Sequence, residues 1–328
     1  MKRSRLQMVL GLLVSLIALA LALRGLHWPT LLQVLRQGKL SWILVALLFH
    51  FFSYFPRGSR WQHMLRPVAP LPWLPVFGAL TIGFLANNVL PARLGEVVRA
   101  LVLGHRTGVS RSAAFSSVLL ERFFDGAATV LLAFLALPLV PLPPVVKSVL
   151  WISAVVFLGV FPAYYLLHLW REPVKRWLFQ TLERVPERWA GLLKHILEGL
   201  SRGVKVLQSP RALLWTTAET LLIWLLEAVS YYAALRAFGV PASVPLTLLA
   251  MVAINLSVMI PSAPGYLGVF EYACVLALVP LGVSRELALS FAILSHAIRY
   301  VVPNLLGLGF LWKWGLSFTK IQAMNQEA

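Results

Sequence analysis

Apolar runs of membrane-spanning length recur along almost the whole of this chain, and they limit what it can fold into. Such runs occupy positions 6–23, 40–55, 112–139, 147–169, 212–238, 244–260 and 286–314. An upright helix needs about 20 apolar residues to cross a bilayer core. Hydrophobic residues make up 59% of the 328 and charged residues only 12%, too few to cover a soluble globule of this size. We therefore predict an all-α, polytopic integral membrane protein.

Further apolar stretches are interrupted by proline before they reach spanning length. The first break, at Pro91, separates the runs 76–90 and 94–103, and the second, at Pro264, precedes the run 266–281. Non-helical backbone at membrane depth is tolerated only where protein or water covers it, and transporters place such broken helices at their binding sites. We predict about eight spanning helices together with re-entrant hairpin segments at these two breaks.

Basic residues predict which side of the membrane each loop faces. The formal charge of +17, from 29 Lys and Arg against 12 Asp and Glu, favours anionic lipid headgroups as partners over nucleic acid. The basic, amphipathic segment 170–211 is predicted to be cytoplasmic and the charge-free loop 140–146 external. Both termini are then cytoplasmic in a plasma-membrane protein whose first run is a retained span rather than a secretory signal. Arg57, Arg60 and Trp61 are interpreted as part of a cytoplasmic rim.

Two sequence patterns occur twice in the same order, which predicts an internal duplication. Pro-x-x-Leu-Gly followed by glutamate spans 91–96 and 264–271, and the tetrapeptide Gly-Val-Ser-Arg occupies 108–111 and 282–285. We assign the repeats to about 40–139 and 212–314 of a single membrane domain, 1–328. Counting crossings places the first tetrapeptide inside and the second outside, so the repeats are predicted to be inverted, as in many secondary transporters.

The first break carries charges that need a physical explanation. Arg93, Glu96 and Arg99 follow one another at spacings of three, so a helix places them on one face. An arginine at bilayer depth costs roughly 2.5–3.5 kcal/mol and needs an anionic partner or water. We predict that Arg93 and Arg99, together with Asn88, bind a lipid phosphate, and that Glu96 is the counter-charge of the empty site. The alternative is a hydrated cytoplasmic loop.

Ionisable residues in the other apolar runs form a second group of candidates. Glu121 and Asp125 lie four residues apart with Arg122 between them, so they are able to pair internally. At the repeat offset, Asp125 corresponds to Arg299, which predicts a contact between the two halves; the alternative is a buried ion pair that fixes helix register. Intramembrane ionisable residues are functional candidates by default. Substrate binding is assigned to Arg122, Glu271 and Arg299, and coupling or ion pairing to Glu121, Asp125, Glu227 and His296.

Motifs for enzyme chemistry are missing from the sequence. Cys274 is the single cysteine, so an intrachain disulfide and a thiolate metal cluster are excluded. The sequence contains no His-Glu-x-x-His, no Walker motif, no Gly-x-Ser-x-Gly and no Asp-Asp pair. We therefore predict a protein that is not an enzyme and that uses neither a metal nor a cofactor.

Several of these residues form patterns that resemble a known family. The patterns are Asn-Asn-x-Leu-Pro-x-Arg-x-Gly-Glu-x-x-Arg at 87–99, Glu-Arg-x-x-Asp at 121–125 and Pro-x-x-Pro-Gly-x-x-Gly at 261–268. Over about 6–314 they resemble the transmembrane, flippase-like region of lysylphosphatidylglycerol synthases. The resemblance implies lipid translocation, here without the soluble aminoacyl-transferase domain, and it draws attention to the backbone breaks at Pro91, Gly95, Pro261, Pro264, Gly265 and Gly268.

Three functions fit this sequence. The first is a translocase that moves a phosphate-bearing lipid, either a phospholipid or a polyprenyl-linked lipid, between the leaflets. The second is an accessory subunit of a membrane enzyme that modifies lipids or glycans. The third is a polyprenyl-lipid-dependent transferase, for which the sequence lacks the usual metal-binding carboxylates. We expect the first, with membrane lipids that carry anionic or phosphate headgroups as its partners.

Overall fold

The computed structural model describes residues 2–90, 94–136, 210–258, 260 and 262–321, together with isolated positions between 148 and 159. Within these ranges all regular secondary structure is helical, which confirms the predicted all-α class. Several predicted features lie outside the described residues: the loop 140–146, all of the segment 170–211 except its last two residues, Pro91, Arg93 and Pro261.

Four helical segments in the described ranges are long and apolar enough to cross a membrane. They are α3 (Leu40–Leu65), α7 (Pro210–Ala237), α10 (Arg285–Lys313) and the segment Pro264–Leu281, which contains α9 (Val269–Leu278). A fifth is counted if α1 (Lys2–Leu23) and α2 (Trp28–Arg36), which are bent by 89°, form one span. The protein is therefore a multi-pass membrane protein.

Helix α3 is longer than the sequence predicts. It continues past Phe55 and through Pro56 to Leu65, because a proline inside a membrane helix is tolerated where neighbouring groups satisfy the freed backbone. Arg60 and Trp61 are completely buried and Arg57 is nearly so. The prediction of a cytoplasmic rim is therefore wrong for these three residues, each of which donates to a side chain inside the protein.

The first break separates two short helices, α4 (Trp73–Val89) and α5 (Gly95–Thr107). The chain leaves α4 with extended backbone at Leu90, and the side-chain oxygen of Asn87 accepts a hydrogen bond from the Gly95 amide at 2.9 Å. The two helices cross closely, since a Cβ at Gly95 would lie 2.0 Å from the Gly83 carbonyl oxygen. Glycine at this crossing lets the backbones approach as small residues do between membrane helices.

The second break is a short turn of 3-10 helix, Pro264–Tyr266, in which Gly265 has a φ of 71°. Gly268, at a φ of 83°, then precedes α9, and its amide donates to Glu271 at 2.6 Å. An L-residue adopts such positive φ values only at a cost, and glycine adopts them freely.

The two Gly-Val-Ser-Arg tetrapeptides form the same local structure. Gly108 and Gly282 each have a left-handed backbone at the end of a helical segment, with φ of 71° and 83°. The next helix then begins at the arginine of each tetrapeptide, giving α6 (Arg111–Ala136) and α10. A left-handed glycine after a helix satisfies its last carbonyls and turns the chain.

Candidate functional site

A cavity of about 270 Å³ lies where the two breaks meet the middle of the helix bundle. Asn87 and Asn88 line it from the first break, and Gly265 and Tyr266 line it from the second. A Cβ at Gly265 would lie only 3.7 Å from the Asn88 carbonyl oxygen, so the flanks of the two breaks are neighbours. The remaining walls come from α3, α5, α6, α7, α9, α10 and the helix α8 (Val244–Ser257).

Three charged residues of the cavity lie far from the ends of their helices. Arg299 is 14 residues from both Arg285 and Lys313, which corresponds to about 21 Å at 1.5 Å per residue. Glu227 and Asp125 also occupy interior positions of α7 and α6. In helices of spanning length, such positions correspond to the depth of the hydrocarbon core, where a charge needs a partner or water.

Three arginines and three carboxylates meet between α3, α5 and α6. Arg60 binds Asp125 through two hydrogen bonds of 2.7 and 3.2 Å. Glu121 accepts from Arg99 at 3.3 Å and from Arg122 at 2.5 Å. We call this group the arginine–carboxylate cluster; its members are Arg60, Arg99, Arg122, Glu96, Glu121 and Asp125.

Within the cluster each arginine contacts a carboxylate of the same cluster, so their charges largely balance. Arg99 stacks on Trp61, with its guanidinium carbon 4.8 Å from the ring centroid, and it does not line the cavity. Glu96, the predicted counter-charge of Arg93 and Arg99, lies 3.8 Å from Arg122, while its relation to Arg93 lies outside the described residues. Phosphate binding by Arg99 remains a prediction, and it requires this closed arrangement to open.

Asp125 and Arg299 do not form the contact that the repeat offset predicts. Asp125 pairs with Arg60 and Arg122, while Arg299 donates to the hydroxyl of Tyr231. The prediction of that pair is wrong because Arg60, which the sequence places outside the apolar run, is nearer to Asp125. Asp125 does form a buried ion pair, with Arg60, as in the alternative, and its effect on helix register stays a prediction.

Glu227 is the centre of a second ionic group, between α3 and α7. It accepts from Ser53 at 2.9 Å and from Arg57 at 2.8 Å, and it lies 3.1 Å from Nδ1 of His50. The guanidinium of Arg57 lies over the ring of Tyr54 at 5.9 Å. Sequence reasoning missed His50 and Arg57, although their spacing of seven residues places them on one face of α3.

Arg299 differs from the other arginines of the cavity. Arg57 and Arg122 each contact a carboxylate, whereas within the described ranges Arg299 has a tyrosine partner and forms no ion pair. Its side chain is only partly buried and lines the cavity. A guanidinium carries five N–H donors, so a further acceptor can bind to it from the cavity.

His296 and Glu271 lie together beside the second break, a contact that the sequence did not indicate. Nδ1 of His296 is 2.5 Å from Glu271, and Nε2 is 2.6 Å from the Gly265 carbonyl oxygen. The imidazole also stacks on Phe270, with 4.5 Å between ring centroids. Among the described residues, no three His, Cys, Asp or Glu side chains converge as a metal site requires.

Comparison with known proteins shows which family has this architecture. The model of the lysylphosphatidylglycerol synthase TM region matches residues 8–307. A UPF0104 membrane protein of Methanothermobacter thermautotrophicus is 30% identical over 82% of each chain. Glycosyltransferase AglD of Haloferax volcanii is 26% identical over 96% of this chain but only 55% of its own length.

Other relatives also align with most of this chain, so one family accounts for nearly its whole length. UPF0104 membrane protein PH1989 of Pyrococcus horikoshii is 23% identical, with 90% of this chain and 94% of the relative aligned. No solved structure matches at a comparable level of significance. The chain belongs to the lysylphosphatidylglycerol synthase transmembrane region family.

Proposed function

We propose that the protein translocates a phosphate-bearing lipid between membrane leaflets, and that the headgroup binds in the central cavity at Arg299. The observation that carries this proposal is an arginine at mid-helix depth that faces the cavity without a carboxylate partner in the described ranges. An arginine at membrane depth is costly unless an anion or water accompanies it. A lipid phosphate supplies that anion when it enters.

The chemistry of the cavity suits a phosphate headgroup. Arginine binds phosphate oxygens through a planar, bidentate fork and keeps its charge at low dielectric. Arg57 lines the same space, and Asn88, Asn255 and Tyr300 offer neutral polar groups beside it. A volume of about 270 Å³ holds a small headgroup, and the acyl or prenyl chains remain in the surrounding lipid.

The predicted inverted repeats give this cavity a route for transport. The flanks of both breaks line it, and the two Gly-Val-Ser-Arg turns share one backbone conformation. Inverted repeats in transporters place broken helices around a shared site that opens alternately to the two sides. We propose the same arrangement here, with about eight spanning helices and no enzymatic step.

Reconstitution into liposomes tests the proposal. Liposomes carry trace lipids with a fluorophore on one chain, either phosphatidylglycerol or a polyprenyl phosphate, and dithionite quenching reports the fraction in the outer leaflet. Arg299→Ala should slow lipid movement about tenfold or more, because it removes charge-assisted hydrogen bonds to the phosphate. Arg299→Lys keeps the charge but loses the bidentate geometry, so an intermediate rate is expected.

Arg36→Ala is the matched control, since Arg36 is an exposed arginine at the end of α2. It should leave lipid movement at the wild-type rate. Equal rates for wild type, Arg299→Ala and Arg36→Ala would show that Arg299 does not bind the headgroup. A wild-type protein that moves none of the phosphate lipids would overturn the function itself.

The relative named glycosyltransferase AglD favours one other candidate, a role in glycan assembly on a lipid. In that case the chain acts as an accessory subunit of a membrane enzyme or, with less support, as a polyprenyl-lipid-dependent transferase. A transferase of this kind usually requires a divalent metal. Glycosyl transfer that stops on chelation, or a stable enzyme partner with no lipid movement, would favour this second candidate.

A further inference from the structure

His296 is held between two hydrogen-bond acceptors at the wall of the cavity. Its Nε2 lies 2.6 Å from the Gly265 carbonyl oxygen, and its Nδ1 lies 2.5 Å from one carboxylate oxygen of Glu271. A carbonyl oxygen only accepts hydrogen bonds, so Nε2 must carry a proton. The other oxygen of Glu271 accepts from the Gly268 amide at 2.6 Å, which fixes the carboxylate in place.

The two contacts of His296 require one more proton than a neutral histidine and an ionised glutamate possess. A neutral imidazole has a single N–H donor, which can satisfy Gly265 or Glu271 but not both. The remaining nitrogen would then direct its lone pair at an oxygen lone pair. An additional proton between His296 and Glu271 removes this conflict, and the pair then has no net charge.

His50 provides a contrast on another wall of the same cavity. Its Nδ1 lies 3.1 Å from Glu227, whereas its Nε2 has no hydrogen-bond partner in the described part of the chain. One imidazole proton is therefore enough for all its contacts. The requirement for an extra proton distinguishes the His296 pair from the other cavity-lining histidine.

We propose that the His296–Glu271 pair is a proton-binding site and that a proton bound there strengthens anion binding at Arg299. This inference rests on the proposed function, because the proton is proposed to be bound while the lipid phosphate occupies Arg299. His296 and Arg299 lie three residues apart on α10 and both line the cavity, so they share one face of the helix. Without the proton, the pair carries a net negative charge beside the cavity, and this charge opposes entry of the anionic headgroup that binds Arg299.

The surroundings of the pair support this assignment. Near the pair, the ionisable groups are Tyr266, Cys274, Arg299 and Tyr300. Across the cavity lie the group around Glu227 and the arginine–carboxylate cluster, whose carboxylates already contact arginines. Helices α4 and α8 and residues 11–23 of α1 contribute no ionisable side chain. Within the described ranges Glu271 thus contacts no arginine and depends on a histidine proton for its neutralisation.

Binding measurements on the purified full-length protein as a function of pH test the linkage. Dihexanoyl phosphatidylglycerol presents the lipid headgroup, and dimethyl phosphate presents the same phosphodiester without chains. Neither probe titrates in the neutral range, so a pH effect must come from the protein. Binding of the lipid alone identifies the headgroup as the ligand, and equal binding of dimethyl phosphate identifies a general phosphodiester site.

For the wild type, linkage of one proton makes the affinity fall by up to about tenfold per pH unit as the pair loses its proton. Glu271→Gln keeps an acceptor for the Gly268 amide and removes the charge, so it should bind tightly at every pH. His296→Gln leaves Glu271 ionised, so it should bind weakly at every pH. The two variants therefore shift the affinity in opposite directions and both lose its pH dependence.

His63→Gln is the matched control. His63 also pairs with a glutamate, since its Nδ1 lies 3.0 Å from Glu219, but it does not line the cavity. This variant should keep the wild-type pH profile. Thermal unfolding of all variants checks that each one is folded.

Three results would overturn the proton site. The first is a pH dependence of binding in Glu271→Gln and His296→Gln that equals that of the wild type. The second is loss of this pH dependence in His50→Gln instead of in those two variants. The third is that the wild type binds neither probe at any pH. Failure of the proposed function is a separate outcome. In that case the wild type moves none of the phosphate lipids in liposomes, while the pH dependence of phosphodiester binding still reports on His296 and Glu271.

Discussion

The two sides of the cavity handle buried charge in opposite ways. In the arginine–carboxylate cluster every arginine contacts a carboxylate, and Arg60 and Glu121 are completely buried. On the α10 side, Arg299 has a neutral tyrosine partner, and the nearby Glu271 is engaged by His296 and the Gly268 amide. The first side balances its arginines with its own carboxylates, and on the second side no contacting carboxylate balances Arg299 within the described ranges.

This difference suggests that the arginines of the cluster stabilise the fold and that Arg299 binds a ligand. Removing one partner of a buried, saturated ion pair leaves an uncompensated charge and destabilises the fold. Removing an arginine that lacks a carboxylate leaves no such charge behind. We therefore expect mutations in the cluster to act mainly on stability, and Arg299→Ala to act mainly on binding.

The largest effect is expected for Glu121→Gln. Glu121 lies within ion-pair distance of Arg60, Arg99 and Arg122, so its neutralisation leaves these arginines with too little negative charge. We expect a loss of about 3–5 kcal/mol in the free energy of unfolding. Unfolding in mixed micelles titrated with dodecyl sulfate measures this loss.

Glu286→Gln is the control for that variant, because Glu286 lies in the first turn of α10 outside the cluster. We expect it to change the unfolding free energy by less than about 1 kcal/mol, the usual range for a carboxylate at a helix N-terminus. If Glu121→Gln were no less stable than Glu286→Gln, the cluster would not be the structural side of the comparison.

The sequence predicted the parts of this arrangement that depend on near neighbours. Glu121, Arg122 and Asp125 lie within five residues, so helical periodicity is enough to bring them together. The breaks were predictable because proline and glycine interrupt apolar runs that are otherwise close to spanning length. The same local cues indicated the helices themselves, although α3 extends ten residues beyond its predicted end.

Partners on distant helices could not be read from the sequence. Whether Arg57 and Arg60 lie in the headgroup region or inside the bundle depends on Glu227 and Asp125, which are 170 and 65 residues away. Hydropathy assigns an arginine after an apolar run to the membrane surface and contains no term for such partners. The contact between His296 and Glu271 was missed for the same reason, because it depends on how α9 packs against α10.

A smaller effect is expected for Gly95→Ala at the first break. Its Cβ would lie 2.0 Å from the Gly83 carbonyl oxygen, which belongs to rigid backbone, so α4 and α5 must separate. We expect a loss of about 3 kcal/mol in unfolding free energy, at the upper end of the range for overpacking. Because α5 carries Arg99 of the arginine–carboxylate cluster, which we assign to stability, the substitution should act through folding. The rate of lipid movement should therefore fall only in proportion to the fraction of folded protein.

Two other glycines calibrate this result. Gly309→Ala, in α10, meets no atom within 4 Å and should be neutral or slightly stabilising, since alanine favours helix. Gly265→Ala meets the Tyr300 side chain at 3.1 Å and has a φ of 71°, so it should cost about 1–2 kcal/mol. A Gly95→Ala protein as stable as Gly309→Ala would show that the α4–α5 crossing is looser than described.

The smallest effect concerns the link between the two sides. Asn88, at the end of α4, donates to the side-chain oxygen of Asn304 on α10 at 2.9 Å. Neither residue is charged, so a net stabilisation of about 0.5–1.5 kcal/mol is expected from this bond. A double-mutant cycle with Asn88→Ala, Asn304→Ala and the double variant isolates that coupling energy from the cost of each truncation.

A weak link at this position is consistent with a cavity that must open, because the Asn88–Asn304 bond joins the flank of the first break to the helix that carries Arg299. Breaking it should therefore alter the rate of lipid movement even though the protein remains folded. A coupling energy between Asn88 and Asn304 above about 3 kcal/mol, measured on the same protein preparations, would contradict this interpretation. Such a value would mean that the arginine–carboxylate cluster and the α10 side are coupled to each other as strongly as the members of the cluster are coupled among themselves. The two sides would then differ only in how their charges are balanced.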